Sequence, residues 1–328
     1  MTHAHARRPL VILVAIVVSL LIGGGAALQA RINGELGVRI DDGIVAALIS
    51  FTIGMTICLV GLAAWPRGRR GLVRVRRDLA AGRMSPWYLG GGAAGGFMVA
   101  TQGLTVGTLG VALFIVATVG GSTIGSLLVD RRGVGTMSAQ GLSLPRVAGA
   151  LLAFAAVGWA VSDRIQGDVP WWMLVIPFLA GGITAWQQAV NGQLRQHAGS
   201  ALSATFVSFL VGTVVLALVT IVRLAVSGAP DPLPGEPWLY AGGLLGVTFV
   251  ALSTVIVPIT GVLVFILATI AGQLAAALVI DVVAPTAGSG ITVATVGGVV
   301  LAMIAVTITA LRRPRRTRVR RPSRSEAP

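Results

Sequence analysis

The sequence predicts an all-α integral membrane protein with ten transmembrane helices, arranged as a 5+5 repeat of inverted topology. Three observations support this prediction. Of the 328 residues, 55% are hydrophobic and only 11% are charged, which is less than half the charged fraction of a typical soluble domain. The apolar residues form runs long enough to cross a bilayer. The motifs of the first half also recur in the second half.

Each predicted span is an apolar run of about 20 residues, the length that crosses a hydrocarbon core about 30 Å thick. The stretch 86–129 carries no charge over 44 residues, so we expect two helices that turn near Gly107 and Gly110. The first run follows Arg7 and Arg8, a pattern shared with secretory signals, but its recurrence inside the chain favours a span. The ten predicted spans are 10–30, 43–65, 86–106, 109–130, 144–162, 170–190, 201–222, 238–257, 260–281 and 291–311.

An internal repeat is the most informative feature of the sequence. Ten residues between 23 and 54 recur identically 158 positions later, and sixteen between 87 and 130 recur 151 positions later. The least common pattern, Gln-x-x-x-Asn-Gly, occurs at 29–34 and again at 187–192. Because each copy holds five helices, the second copy must enter the membrane in the opposite orientation. Inverted repeats of this kind are typical of secondary transporters, whose substrate site lies at the repeat interface.

The chain therefore divides into four segments. Residues 10–163 form the first repeat and 170–311 the second, between a short N-terminus at 1–9 and a disordered basic tail at 312–328. If the N-terminus is cytoplasmic, 21 of the 25 basic residues lie on the cytoplasmic side. Positive charge is enriched in cytoplasmic loops, so both termini are predicted to be cytoplasmic.

The candidate substrate-binding residues are mostly neutral amides within or near the spans. Gln and Asn four residues apart share one helix face, so Gln29 with Asn33 and Gln187 with Asn191 can line one cavity. A second interpretation is that the Asn-Gly pairs only cap helices, with glycine in a left-handed conformation. Trp186 beside Gln187 could offer a ring to a cationic or planar substrate, or serve as an interfacial anchor. The predicted set is Gln29, Asn33, Gln102, Trp186, Gln187, Asn191 and Gln273.

Paired glycines lie within the first helix of each repeat. Gly23 with Gly24, and Gly181 with Gly182, are predicted to interrupt these helices and to act as hinges, because broken helices at membrane depth mark binding sites in transporters. The alternative is that the pairs allow close helix packing.

Three carboxylates are candidates for coupling to an ion. No ionisable residue lies in the middle of a predicted span, where coupling residues are usually found. Asp130 and Asp281 instead end the fourth helix of each repeat, where the helix dipole disfavours an anion. Glu35 has the neutral Gln193 as its repeat counterpart. A structural role for the two aspartates, such as pairing with an arginine, is the competing interpretation.

Several function classes are excluded by what the chain lacks. It has no lysine, so it carries neither a P-loop nor a lysine Schiff base. Its single cysteine, Cys58, rules out internal disulfides and thiolate clusters, and neither a cofactor nor a metal is expected. No acid–base pair lies in a span, so the chain is not predicted to be an enzyme. The basic tail is expected to bind anionic lipid and not nucleic acid.

The Gln-x-x-x-Asn-Gly segments and two Trp…Gly-Gly…Ala-Thr…Asp modules, within a 5+5 helix repeat, resemble the drug/metabolite transporter superfamily. Within it, the chain is most similar to the ten-span YdcZ-like branch, over residues 10–311. The resemblance implies a bacterial inner-membrane carrier or exporter of a small metabolite that works by alternating access. Related exporters often use a membrane-embedded glutamate, which this sequence lacks. The alternative function is a non-transporting membrane scaffold or accessory subunit, and a homodimer is left open.

Overall fold

The structure is a computed structural model that describes residues 3–132, 144–162, 170–260, 262–285 and 291–310. Within these ranges the chain forms eleven α-helices and no β-strand. The helices are α1 (His3–Arg39), α2 (Gly43–Ala64), α3 (Pro66–Ala80), α4 (Gly90–Leu109), α5 (Val111–Arg132), α6 (Leu144–Ser162), α7 (Trp172–Ala198), α8 (Ala201–Ser227), α9 (Gly242–Thr260), α10 (Val262–Val283) and α11 (Val293–Ala310). The basic tail predicted at 312–328 and the loops around Asp163 lie outside the described residues.

Each of the ten segments predicted as spans corresponds to one helix, and the helical class is therefore confirmed. Of the described helices, five are long and apolar enough to cross a membrane by length and composition. These five stretches are Val11–Arg39, Gly43–Ala64, Val111–Val129, Trp172–Ala198 and Ala201–Ser227. The number of ten spans stays a prediction.

The first helix of each repeat is longer than predicted. Helix α1 continues to Arg39 and α7 to Ala198, each about two turns past the expected end. The interpretation of Gly34 and Gly192 as helix caps is therefore wrong. Helix α7 ends instead at Gly199, which has a left-handed φ of 59° and donates its N–H to the Arg195 carbonyl. Glycine suits this position because it has no Cβ to clash in the left-handed region.

The arginine-rich segment between the second and third predicted spans forms a helix. Pro66 begins α3, where its fixed φ and missing N–H cost nothing. Gly68, Gly71 and Val75 are buried on one side of α3, a three- and four-residue spacing that places them on one helix face. Because charged residues lie between them, these positions do not form a continuous apolar run in the sequence.

The second helix of each repeat begins in the same way. Asp42 caps α2, since its Oδ1 accepts the backbone N–H groups of Ile44 and Val45, each at 3.0 Å. Ser200, its counterpart 158 positions later, caps α8 by accepting the N–H of Ser203 at 3.3 Å. Side-chain oxygens at this position satisfy amides that have no partner within the helix.

The two halves pack reciprocally. Helix α1 packs along α10, and its counterpart α7 packs along α5, while α2 contacts α8 and α6 contacts α11. Helix α5 lies at the centre, because every residue from 111 to 121 is buried. The turn predicted near Gly110 is confirmed: α4 ends at Leu109, and Gly110 has a φ of 79°. The repeat seen in the sequence is thus also a repeat of tertiary contacts.

Candidate functional site

The first glycine of each pair lies at a close approach between the two halves. A Cβ placed on Gly23 would overlap the carbonyl oxygen of Thr269 on α10, and one on Gly181 would overlap that of Thr118 on α5. These are the same contact with the repeats exchanged. The predicted interruption is wrong, because α1 and α7 run through both glycine pairs without a break. The packing interpretation explains Gly23 and Gly181, since only a missing side chain lets the backbones approach so closely.

Two phenylalanines occupy the contact between α2 and α8. The ring centroids of Phe51 and Phe209 lie 4.9 Å apart at an interplanar angle of 37°. Each ring packs against the glycine of the opposite helix, Phe209 against Gly54 and Phe51 against Gly212. The two residues are repeat counterparts. Each half therefore contributes the same position to the ring pair.

The predicted glutamines lie beside this ring pair. A Cβ placed on Gly246 would lie 3.1 Å from Gln29 Nε2 and 3.5 Å from Phe209 Cζ. In the reciprocal place, a Cβ on Gly95 would lie 2.6 Å from Gln187 Nε2 and 3.3 Å from Phe51 Cζ. Each glutamine amide therefore shares a small volume with one ring. The two glutamines, which the sequence had singled out, thus lie one beside each ring of the same pair.

Asn33 continues the first amide cluster one turn further along α1. It is almost fully buried and donates from Nδ2 to the Oε1 of Gln102 on α4 at 2.7 Å. Its Oδ1 faces Gly242 of α9 but has no hydrogen-bond partner among the described residues. A buried acceptor without a partner is costly, so Asn33 Oδ1 is a point where a ligand group could bind.

Asn191 has a different partner. Its Oδ1 accepts from the Ser208 hydroxyl at 3.3 Å and faces Gly91 of α4. It is also less buried than Asn33. The two asparagines are therefore equivalent in position but not in hydrogen bonding.

The remaining candidate residues lie apart from the ring pair. Trp186 packs on Trp87, with ring centroids 5.4 Å apart, and covers Gly90 at the start of α4. Gln273 lies on α10, where its backbone N faces Gly23. Within the part of the chain that the structure describes, neither side chain forms a hydrogen bond with another predicted amide.

Asp281 has a clear structural partner. Its two carboxylate oxygens accept the backbone N–H groups of Val111 at 2.9 Å and Ala112 at 2.7 Å. These amides open α5, so the carboxylate caps the positive end of that helix dipole although it ends its own helix. Asp281 therefore pairs with backbone amides and not with an arginine, the partner that the structural interpretation had expected. The side chain of Asp130 lies outside the described residues.

Glu35 lies between two arginines on α1. Its carboxylate is 3.1 Å from Arg31 Nη1 and 3.0 Å from Arg39 Nε. Arg39 also binds Glu236 in the loop before α9 and lies over the ring of Trp238, 5.9 Å from its centroid. The contacts of Arg39 with Glu236 and Trp238 join the end of α1 to the second repeat.

A second ion pair closes the same end of the bundle. Arg223 Nε at the end of α8 lies 2.8 Å from Asp42 Oδ2 at the start of α2. The Asp42 carboxylate is buried by this contact and by its capping bonds. The end at which α1 and α8 terminate is thus held by charge pairs between the halves.

At the opposite end of the bundle, the corresponding contact is formed by a histidine and an aspartate. His197, the repeat counterpart of Arg39, lies with Nδ1 2.8 Å from Asp78 Oδ2 on α3. Arg83 binds the other oxygen of Asp78 at 2.6 Å. The hydrogen bond from His197, followed by that from Arg83, lowers the pKa of Asp78.

Sequence reasoning missed the ring pair and the glycines opposite the glutamines. The signal was present, because Phe51, Gly95 and their counterparts recur identically in the second repeat. Aromatic and glycine residues are common in spans, however, and nothing local distinguishes a central ring from a lipid-facing one. Among the described residues, no three His, Cys, Asp or Glu side chains lie close enough to hold a metal ion.

Comparison with known proteins agrees with the resemblance found in the sequence. The pattern of the family described as "Putative inner membrane exporter, YdcZ" matches residues 14–159 and 171–308, one stretch in each repeat. None of the curated proteins matches the chain. A solved structure titled "Crystal structure of protein" has a similar fold, with a TM-score of 0.54 and 18% identity over 92% of this chain and 96% of that chain. Because the family pattern covers most of both repeats, the chain belongs to this family, which is described as "Putative inner membrane exporter, YdcZ".

Proposed function

We propose that the chain is a secondary transporter that exports a small molecule by alternating access at the interface between its two repeats. The observation that carries this proposal is the reciprocal packing of the halves around Phe51 and Phe209. Gln29 and Gln187 lie at the same interface, one beside each ring. In transporters built from inverted repeats, the substrate site lies at this interface, near the middle of the membrane.

In this proposal all ten apolar helices outside α3 cross the membrane. Five spans per repeat then give the halves opposite orientations, and the reciprocal contacts are compatible with this arrangement. The arginine distribution supports cytoplasmic termini. It places the end of α1 on the periplasmic side and the end of α7 on the cytoplasmic side.

The two ends of the bundle differ, as expected for one state of an alternating-access cycle. Gly34 is buried against Val106, whereas its counterpart Gly192 is exposed. At the Gly192 end, a cleft of about 330 Å³ lies between α2, α8 and α9. We therefore assign the structure to a state that faces the cytoplasm, with the periplasmic end held by the pairs Arg39–Glu236 and Arg223–Asp42.

Two residues that line the cleft lie one helical turn from Phe209 or from Gly54, which packs against that ring. Cys58 lies one turn from Gly54 on α2, and Thr205 lies one turn from Phe209 on α8, so both share a face with the central contact. The lining is apolar except for hydroxyl and thiol groups. It consists of Cys58, Trp65, Ser200, Ala201, Leu202, Thr205, Val247 and Ala251.

The chemistry of the site favours a neutral polar or planar substrate. The ring pair packs within an apolar cluster that includes Ala47, Val99 and Leu216, with the amides of Gln29 and Gln187 beside it, so recognition would combine hydrogen bonds with stacking and apolar contact. We assign structural roles to Glu35 and Asp281, because arginines hold the first and backbone amides the second. We retain Gly23, Gly24, Gly181 and Gly182 as contacts along which α1 and α7 move.

The test is counterflow of labelled metabolites into liposomes that contain the purified protein. Gln29→Ala and Gln187→Ala should each lower the flux of a transported metabolite by roughly ten-fold, the effect of about 1.4 kcal/mol. Gln188→Ala is the matched control, since Gln188 neighbours Gln187 in sequence but is exposed. Unchanged flux in both glutamine variants would contradict the site assignment. Absence of flux for every metabolite would favour the scaffold alternative.

A further inference from the structure

Helix α3 presents a row of arginines on a rigid support. Arg67, Arg70, Arg74 and Arg77 follow one another at spacings of three, four and three residues, so they lie along one helix face. All four are exposed. We call these four residues the α3 arginine row.

A neighbouring face of α3 is fixed to the helix bundle. The Ser203 hydroxyl of α8 donates to the Gly68 carbonyl at 2.6 Å. Gly71 packs directly against the same hydroxyl, and Val75 is buried. The arginine row is therefore held in place by the fold and is not a flexible basic segment.

The charge of the row is largely uncompensated within the described residues. Asp78 is the only carboxylate on α3, and it is engaged by Arg83 and His197. Arg74 lies over Gly199, where the negative end of the α7 dipole partly balances its charge. Arg67, Arg70 and Arg77 remain available to a partner.

The fold itself does not require this helix. In the second repeat, the segment between α8 and the turn at Pro237 is irregular, contains three prolines and carries no arginine. An element present in only one repeat, and built around arginines, is explained by what it binds and not by the repeat architecture.

The position of α3 indicates which partner its arginines would bind. Helix α3 follows α2 after the single residue Trp65, so it begins where a membrane-crossing helix ends. Trp65 is 56% exposed, and tryptophan at the end of a span is typical of the lipid headgroup level. A basic amphipathic helix at this level suits a surface of anionic lipid. We propose that the α3 arginine row is a docking surface for the headgroups of anionic phospholipids, separate from any lipid contact of the basic tail.

The full-length protein in lipid nanodiscs provides the test. Nanodiscs of phosphatidylcholine alone are compared with nanodiscs that also contain phosphatidylglycerol, and the melting temperature is measured in each. Phosphatidylglycerol should raise the melting temperature of the wild type. The triple variant Arg67→Gln/Arg70→Gln/Arg77→Gln should lose more than half of this increase, and added salt should weaken the increase in the wild type.

Two further variants keep the proposal falsifiable. Arg67→Lys/Arg70→Lys/Arg77→Lys preserves the charge and should retain most of the increase, even if the glutamine variant folds poorly. A tail variant, with Arg312, Arg313 and Arg315 changed to glutamine, should retain it as well. An unchanged increase in the triple glutamine variant, or its loss only in the tail variant, would overturn the proposal. Because no transport is measured, a negative result here leaves the proposed export function unaffected.

Discussion

Asn33 on α1 donates a hydrogen bond of 2.7 Å to Gln102 on α4, with both side chains buried. The pair joins two helices of the first repeat across 69 positions of sequence. Its counterpart, Asn191, bonds Ser208 on the neighbouring helix α8. A duplicated position has thus acquired different partners in the two halves, which is where a transporter made of two similar repeats can become selective.

The Asn33–Gln102 bond is expected to show energetic coupling. Asn33→Ala or Gln102→Ala leaves one buried amide without its partner, at a cost of about 1–3 kcal/mol each. The double variant should lose less stability than the sum of the two, because neither partner is then stranded. A double-mutant cycle of unfolding free energies measures this coupling. Strict additivity would indicate that the hydrogen bond does not form.

Gly23→Ala should destabilise the contact between α1 and α10. The added methyl group overlaps the Thr269 carbonyl oxygen, and forcing the helices apart costs typically about 1–3 kcal/mol. Gly25→Ala is the matched control, because a Cβ there meets no described atom within 4 Å. Alanine also has the higher helix propensity, so the control should be neutral or stabilising. Equal melting temperatures for the two variants would refute the close packing.

Asp281→Ala should weaken the start of α5. The variant removes the acceptors of two backbone amides, and loss of an N-terminal cap costs about 0.5–2 kcal/mol. Asp281→Asn keeps one acceptor oxygen and should lose less. Asp41→Asn serves as a control, since Asp41 is exposed with a φ of 50°, a conformation that asparagine tolerates. Thermal unfolding in detergent distinguishes the three, and an unaffected Asp281→Ala variant would argue against the cap.

The contact between Asp78 and His197 should make stability depend on acid. Its partners lower the pKa of Asp78, so the carboxylate contributes stability above the ordinary aspartate pKa of about 3.9. This contribution is lost as the pH falls through the lowered pKa. The difference in melting temperature between wild type and Asp78→Asn should therefore be largest near neutral pH and vanish in strong acid. A difference that stays constant with pH would mean that the ionised form is not preferentially stabilised.

Opposite orientation of the repeats can be checked by labelling. Cys58 is the only cysteine, so Cys58→Ser provides a background without thiols. Single cysteines replace Asp41, in the exposed turn after α1 of the first repeat, and Arg195, near the exposed end of the corresponding helix α7 of the second repeat. A membrane-impermeant maleimide should label the first from the periplasmic side and the second only from the cytoplasmic side. Labelling of both from one side would rule out the inverted topology.

The positions of the helices could be predicted from the sequence because they depend on local composition. Apolar runs identified ten of the eleven described helices, and the turn at Gly110 was recognisable from glycine between two such runs. Helix α3 was missed, because its apolar face is made of two glycines and a valine among six arginines. The ends of α1 and α7 were also missed. Asn-Gly resembles a helix end, but α1 and α7 both continue through it, with Gly34 packed against α4 and Gly192 exposed.

The candidate site was predicted only in part, for a related reason. The repeat identified Gln29, Asn33 and their counterparts, since a pattern shared by two distant segments needs no structure to be seen. The partners of these residues could not be found in the same way. Gly246 opposite Gln29, and the amide of Val111 opposite Asp281, lie more than 150 positions away in the sequence, and no periodicity connects them.

The sequence alone therefore determined that this is a helical membrane protein with an internal repeat. These properties follow from hydropathy, charge and internal similarity, which can be evaluated from the sequence without knowledge of tertiary contacts. Only the tertiary structure decided that the glycine pairs are packing contacts, that Asp281 caps α5 and that Phe51 meets Phe209. Those outcomes depend on which backbone and side-chain atoms come within contact distance when distant segments pack. Because contact energies act only over short distances in space, they cannot be inferred from the local composition of the sequence.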